Sequence, residues 1–174
     1  MNFHPILVHF PVALFTIYAL LEIVSLTRLG KLPYAFYVKA IFVILGALSS
    51  VPALIAGLAI KPLFGGDPTL VHLVNTHETF AIMTSVLFAI LALAYVVAWI
   101  HKDLPNWHPK SPGMSKMWDL KVRVAQMVLK PVCIIPLALI GLGLVTVTGA
   151  LGGAIAYGPN VDPAVSLIYK LLIK

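Results

Sequence analysis

Apolar residues along this chain come in long unbroken blocks rather than at the alternating or every-third-or-fourth spacing of a half-buried soluble fold. The blocks cover about 6–26, 40–60, 80–100 and 132–156. Each is close to the 20 residues that a helix rising 1.5 Å per residue needs to cross about 30 Å of hydrocarbon. With their flanks included they predict membrane-spanning helices over about 5–27, 39–60, 77–101 and 131–156. The expected fold is all-α, a polytopic membrane four-helix bundle forming a single domain over 1–174. The one long polar connection, 101–126, reads as a loop with a short interfacial helix around 117–128. The first block has no basic stretch before it and no small-residue cleavage site after it, so it is expected to stay in the mature protein rather than to act as a signal peptide. No internal repeat or low-complexity tract stands out.

Prolines punctuate the blocks. His4-Pro5 opens the first span with proline in the first turn, where its missing N–H is not needed. Asp67-Pro68, after the flexible Gly65-Gly66 pair, predicts an N-cap at Asp67 for the segment entering the third span. Pro11, Pro52 and Pro136 fall inside blocks and are expected to kink their helices unless neighbours repair the lost backbone bond.

Composition confirms the class. Hydrophobic residues make up 60% of the chain and charged ones 10%, against about 25% charged in a soluble domain, and the mean hydropathy is +1.00. A lobed soluble enzyme is excluded, and Cys133, the only cysteine, cannot build a disulfide scaffold. The net charge of +6 does not point to nucleic acid, because the basic residues flank the apolar blocks. They are topology signals instead. The loops after spans one and three hold Arg28, Lys31, Lys39, Lys102, Lys110, Lys116, Lys121, Arg123 and Lys130; the other face holds Lys61, Lys170 and Lys174. Nine against three places both termini outside, on the periplasmic side of a bacterial inner membrane, and the 101–126 loop in the cytoplasm.

That topology sorts the six histidines. His4 and His9 lie at the outer end of span one, His72 and His77 at the outer end of span three, and His101 and His108 in the inner loop. Ionisable side chains at membrane depth face the bundle interior and mark function. Two facing helices that each offer an imidazole suit the axial positions of a b-type haem, although interfacial histidines also cap helices or bond to headgroups. The steps from His4 to His9 and from His72 to His77 are five residues, about 140° around a helix, so neither pair shares a face and ligation has to run between helices. His9 with His77 is the first choice for the axial pair, with His4 as substitute partner and His72 as a further candidate. Depth favours His4, because His9 lies about 9 Å deeper than His77 when block edges are taken as the hydrocarbon limits.

The fourth span adds Gly141, Gly143, Gly149, Gly152 and Gly153. Gly149 and Gly153 form a GxxxG, where a neighbouring helix or the flat face of a macrocycle can come close. Gly46, Ser50, Ala53 and Gly57 give span two the same character. Glu78 is read as an interfacial carboxylate able to steady a histidine or meet a haem propionate through water, and Glu22 as a residue that snorkels to the inner interface. Trp99, Trp107 and Trp118 make an aromatic belt on the inner side. The sequence has no phosphate loop, CxxCH, HExxH or serine elbow.

The opening His4-Pro5-Ile6-Leu7-Val8-His9-Phe10-Pro11, continued by Val12-Ala13-Leu14, resembles the HPxLVHFPxAL signature of the domain-of-unknown-function 2231 family of four-helix bacterial membrane proteins. His77 at the opening of the third helix and the glycine-rich ending from Gly149 to Gly158 agree, with Ile155 and Ala156 as mild departures. The resemblance covers about 3–158. It implies a four-helix membrane domain and, from the occurrence of such domains beside c-type cytochrome domains, redox work. The expectation is a b-type haem subunit carrying electrons between a periplasmic cytochrome or other redox partner and the membrane quinone pool, within a larger complex of membrane subunits. A structural or assembly subunit in the lipid bilayer, or an outer-face copper or zinc site, are the competing readings.

Overall fold

The computed structural model describes residues 4–105 and 107–173. Its helices are α1 (His4–Val24), α2 (Ala35–Ile60), α3 (Pro68–Asp103), α4 (Pro112–Val128), α5 (Pro131–Tyr157) and α6 (Pro163–Leu172), with 3₁₀ turns at Arg28–Lys31 and Lys61–Phe64. The fold is all-α, and α1, α2, α3 and α5 are long and apolar enough to cross a membrane. Helical geometry runs through Pro11, Pro52 and Pro136.

Helix starts follow one chemical pattern. Asp67 accepts the N–H of Thr69 at 2.8 Å and Pro68 fills the first turn, satisfying a donor that the helix itself leaves unpaired. Asp162 does the same for Val165 at 2.9 Å, followed by Pro163. The first cap starts α3 well before its apolar block, giving 36 residues, about 54 Å at 1.5 Å each, more than a bilayer core needs. The second starts α6, which apolar block length does not reveal. Likewise α4 begins at Pro112, ahead of the expected 117, and buries Trp118, Val122 and Ala125 on one face.

The spans close into a ring. α1 packs against α2 and α5, and α3 packs against the same two, so α1 and α3 face each other across the core. Phe15 and Phe88 stack there with ring centroids 4.0 Å apart and planes 7° from parallel. Each ring presses on a glycine of the next helix: a Cβ on Gly46 would lie 2.7 Å from Phe15, and one on Gly141 would lie 2.6 Å from Phe88. A second cluster of Leu73, Leu151, Ala154 and Val165 seats α6 against α3 and α5 at the end of the bundle that carries the N-terminus.

These contacts expose an internal repeat that inspection of the sequence misses. The buried residues of α1, namely Pro11, Phe15, Tyr18, Ala19 and Glu22, correspond under one constant shift to Thr84, Phe88, Leu91, Ala92 and Tyr95, all buried in α3. Val43, Gly46 and Ser50 of α2 correspond in the same way to Ala138, Gly141 and Val145 of α5. The bundle is two helical hairpins, α1–α2 and α3–α5, related by an approximate two-fold axis along the spans, the parallel arrangement known from membrane transporters.

At the α4 end of the axis the repeat becomes asymmetric. Glu22, 1% exposed, accepts hydrogen bonds from Tyr95 Oη and from Lys39 Nζ, the latter at 2.9 Å. It therefore does not snorkel to the interface. A carboxylate inside the bundle is held by partners on α2 and α3, because leaving it unpaired costs several kcal/mol.

The glycine wedges give a direct test. Gly141→Ala drives a methyl into Phe88 and should cost about 1–3 kcal/mol, visible as a lowered thermal midpoint in detergent. Gly143→Ala, with open space at its Cβ position, should leave the midpoint within error. Equal midpoints for both variants would mean that the central stack is not wedged.

Candidate functional site

Two histidines of the repeat take equivalent places at the N-terminal end of the axis. His4 is the first residue of α1, and its Nδ1 lies 3.1 Å from the backbone carbonyl oxygen of Ala53 in α2. His77, in α3, places Nδ1 3.0 Å from the carbonyl oxygen of Thr148 in α5. The carbonyl can only accept, so Nδ1 carries the proton in each bond, and Nε2 is the basic nitrogen of the neutral ring.

The sequence makes both carbonyls approachable by one device. In a helix the oxygen of residue i is already bonded to the N–H of residue i+4, and a second donor must come from the side. Gly57 stands four residues after Ala53, and Gly152 four after Thr148. A Cβ on Gly57 would lie 3.1 Å from His4 Cε1, and one on Gly152 would lie 3.2 Å from His77 Cε1. Each imidazole thus rests over a glycine and points its N–H at the carbonyl that the glycine leaves uncovered. The two rings are within electrostatic reach of each other.

Below His77 the helices are pinned by hydroxyls. Thr84 Oγ1 bonds to the Phe80 carbonyl at 2.7 Å and sits 3.1 Å from Thr148 Oγ1, linking α3 to α5. Glu78, next to His77, pairs with Lys61 at the end of α2.

Of the sequence-derived candidates, the structure brings His4 and His77 together. His9 is exposed and its Nδ1 is bonded to the Pro5 carbonyl of its own helix; His72 is exposed as well. Helical phase explains this. His4 precedes the core residue Phe15 by eleven residues, three turns to within about 20°, whereas His9 precedes it by six and lies about 120° off that face. The 9 Å depth difference took block edges as its reference, and α3 starts well before its block, so helical phase is the firmer guide. Gly149 faces open space within the chain, whereas Gly153 packs on Val165 of α6, 3.5 Å from its Cβ position. The glycines that matter to the histidines are Gly57 and Gly152. Their signal was a spacing: His4 to Phe15, His77 to Phe88, Gly46 to Gly57 and Gly141 to Gly152 are each eleven residues.

His101 and His108 lie at the α4 end, where His108 is 4.0 Å from Asp119. Among the described residues, no three His, Cys, Asp or Glu side chains gather closely enough to hold a metal ion by themselves.

A family model described as a predicted membrane protein, DUF2231, matches residues 1–163. The chain belongs to this family. No curated protein and no solved structure matches it. The DUF2231 match takes in all four spans and both histidine cradles, and it ends at the first residue of α6.

The cradles can be tested without any ligand. In ¹⁵N spectra of histidine-labelled protein, His4 and His77 should both be Nδ1–H tautomers. Gly152→Leu should shift the His77 signals alone, while Gly149→Leu should leave them in place. A His77 signal showing an Nε2–H tautomer in the unmodified chain would contradict the carbonyl bond.

Proposed function

We propose that this DUF2231 protein is a membrane-embedded electron-transfer subunit in which His4 and His77 hold a b-type haem through Nε2. The observation that carries this reading is the pair of imidazoles on facing helices, each with Nδ1 committed to a backbone carbonyl. Ring N–H bonds of this kind fix the orientation of metal-ligating histidines and raise their basicity. The donor set suits a porphyrin, which supplies four nitrogens of its own and asks the protein for two. A tetrahedral zinc or copper site asks for three or four protein ligands.

A haem held there would take up and release one electron at a time, with a potential set by its axial imidazoles and surroundings. The chain's part is to orient the rings through Ala53 and Thr148, to clear space with Gly57 and Gly152, and to surround the site with apolar helices. By the count of nine basic residues against three, the histidine end faces the periplasm and α4 the cytoplasm of a bacterial inner membrane. The site is then placed to exchange electrons between a periplasmic cytochrome or similar redox protein and the quinone pool, as part of a larger membrane complex.

An optical spectrum of protein purified with haem available decides the matter. A low-spin six-coordinate spectrum is expected, becoming high-spin or vanishing in His4→Ala and His77→Ala and persisting in His9→Ala, His72→Ala and His108→Ala. Binding that survives His4→Ala together with His77→Ala, or is never seen, returns the protein to the structural-subunit reading. Orientation has its own check: a cysteine introduced at Lys110 should resist impermeant thiol reagents in intact cells and react once the membrane is opened.

A further inference from the structure

We propose that Lys61 is the anchor for a carboxylate of the ligand held by the histidine pair, with Glu78 standing in for that carboxylate in the structure described here. The inference rests on the haem reading and names the part of the macrocycle that would be gripped.

The placement follows from helical spacing. Lys61 caps the end of α2 four residues, about 6 Å, beyond Gly57, on the face that receives His4. On α3, Glu78 adjoins His77. The Lys61–Glu78 pair therefore links the end of α2 to α3 one turn beyond Gly57, on the side away from Gly46 and the Phe15–Phe88 stack. Lys61 is 40% exposed and Glu78 26%, so the pair sits at the rim. Beside it runs a groove between α2 and α3, lined by Leu58, Lys61, Phe64, Val71, Val74 and Asn75. The groove has apolar walls, one cation and one amide, a lining that matches the edge of a porphyrin carrying ionised propionates. On α3, Val74, which lines the groove, stands one turn before His77 and Glu78.

The repeat isolates Lys61 further. Its counterpart at the end of α5 is Ala156, and the counterpart of Glu78 in α1 is Pro5. The cradles are duplicated, but the ion pair is not. Among the described residues, a carboxylate bound beside the histidines would meet Lys61 from the α2 side, while Glu78 competes for it. Exchange of Glu78 for a propionate conserves charge at Lys61 and requires no other reactant.

The experiment titrates the apoprotein in detergent with haemin and with haemin dimethyl ester, which keeps the iron and the ring but lacks the carboxylates. For a partly exposed ion pair worth up to about 1 kcal/mol, Lys61→Met should weaken haemin binding about three- to fivefold and leave the ester unaffected. Lys61→Arg should restore haemin binding, and Glu78→Gln should tighten it by removing the competitor. Equal losses for haemin and ester, or no loss for either, would overturn the role of Lys61 while leaving the histidine assignment intact. If the unmodified protein binds neither compound, both the anchor and the haem reading fall.

Discussion

A polar side chain within a lipid-facing bundle has no water to turn to, so the protein itself must complete its hydrogen bonds. That constraint organises both ends of this molecule. At one end two imidazoles take backbone carbonyls as acceptors; at the other a carboxylate takes a lysine and a tyrosine as donors. Helix carbonyls are poor acceptors for a side chain because their own helix has already used them and the next turn covers them. The glycines at 57 and 152 remove that cover, so the small residues of α2 and α5 exist here for the histidines of α1 and α3 as much as for close helix packing.

The division of labour is two-fold. The first helix of each hairpin supplies large groups, a histidine and a phenylalanine three turns apart, and the second supplies glycines at the same interval to receive them. Because both hairpins obey the rule, Phe15 and Phe88 meet on the axis, and His4 and His77 take equivalent places three turns from them. The charged departures from symmetry lie at the two rims: Glu22 faces Tyr95 where a strict repeat would set identical residues opposite one another, and Lys61 has Ala156 as its counterpart.

Much of this was legible in the residues. Block length identified the four spans, Asp67 announced its helix, and the placing of four histidines at one end of the bundle was visible from topology alone. The choice between His4 and His9 was not settled by block edges, because α3 continues past its apolar block and shifts the depth scale; the phase of His4 with Phe15 was the better guide. The repeat escaped notice because it is written in burial rather than identity. Proline stands opposite threonine at 11 and 84, and tyrosine opposite leucine at 18 and 91, yet each pair fills the same layer. Glu22 was misread because a glutamate near a span end ordinarily reaches for the interface, and its partners Lys39 and Tyr95 are distant in sequence. The helix Pro163–Leu172 carried its own cap in Asp162, the same Asp-Pro pairing that was recognised at 67–68.

The Phe15–Phe88 stack has a consequence for the membrane as an electrical barrier. Hydroxyls, imidazoles and a carboxylate strung without interruption along a bundle axis would give water and protons a file to follow, and a gradient across the bilayer would drain through it. The two rings, wedged between Gly46 and Gly141, divide that axis into separate polar compartments with a dry aromatic partition between them. The histidine end and the Glu22 end are thus set apart by a packed apolar layer.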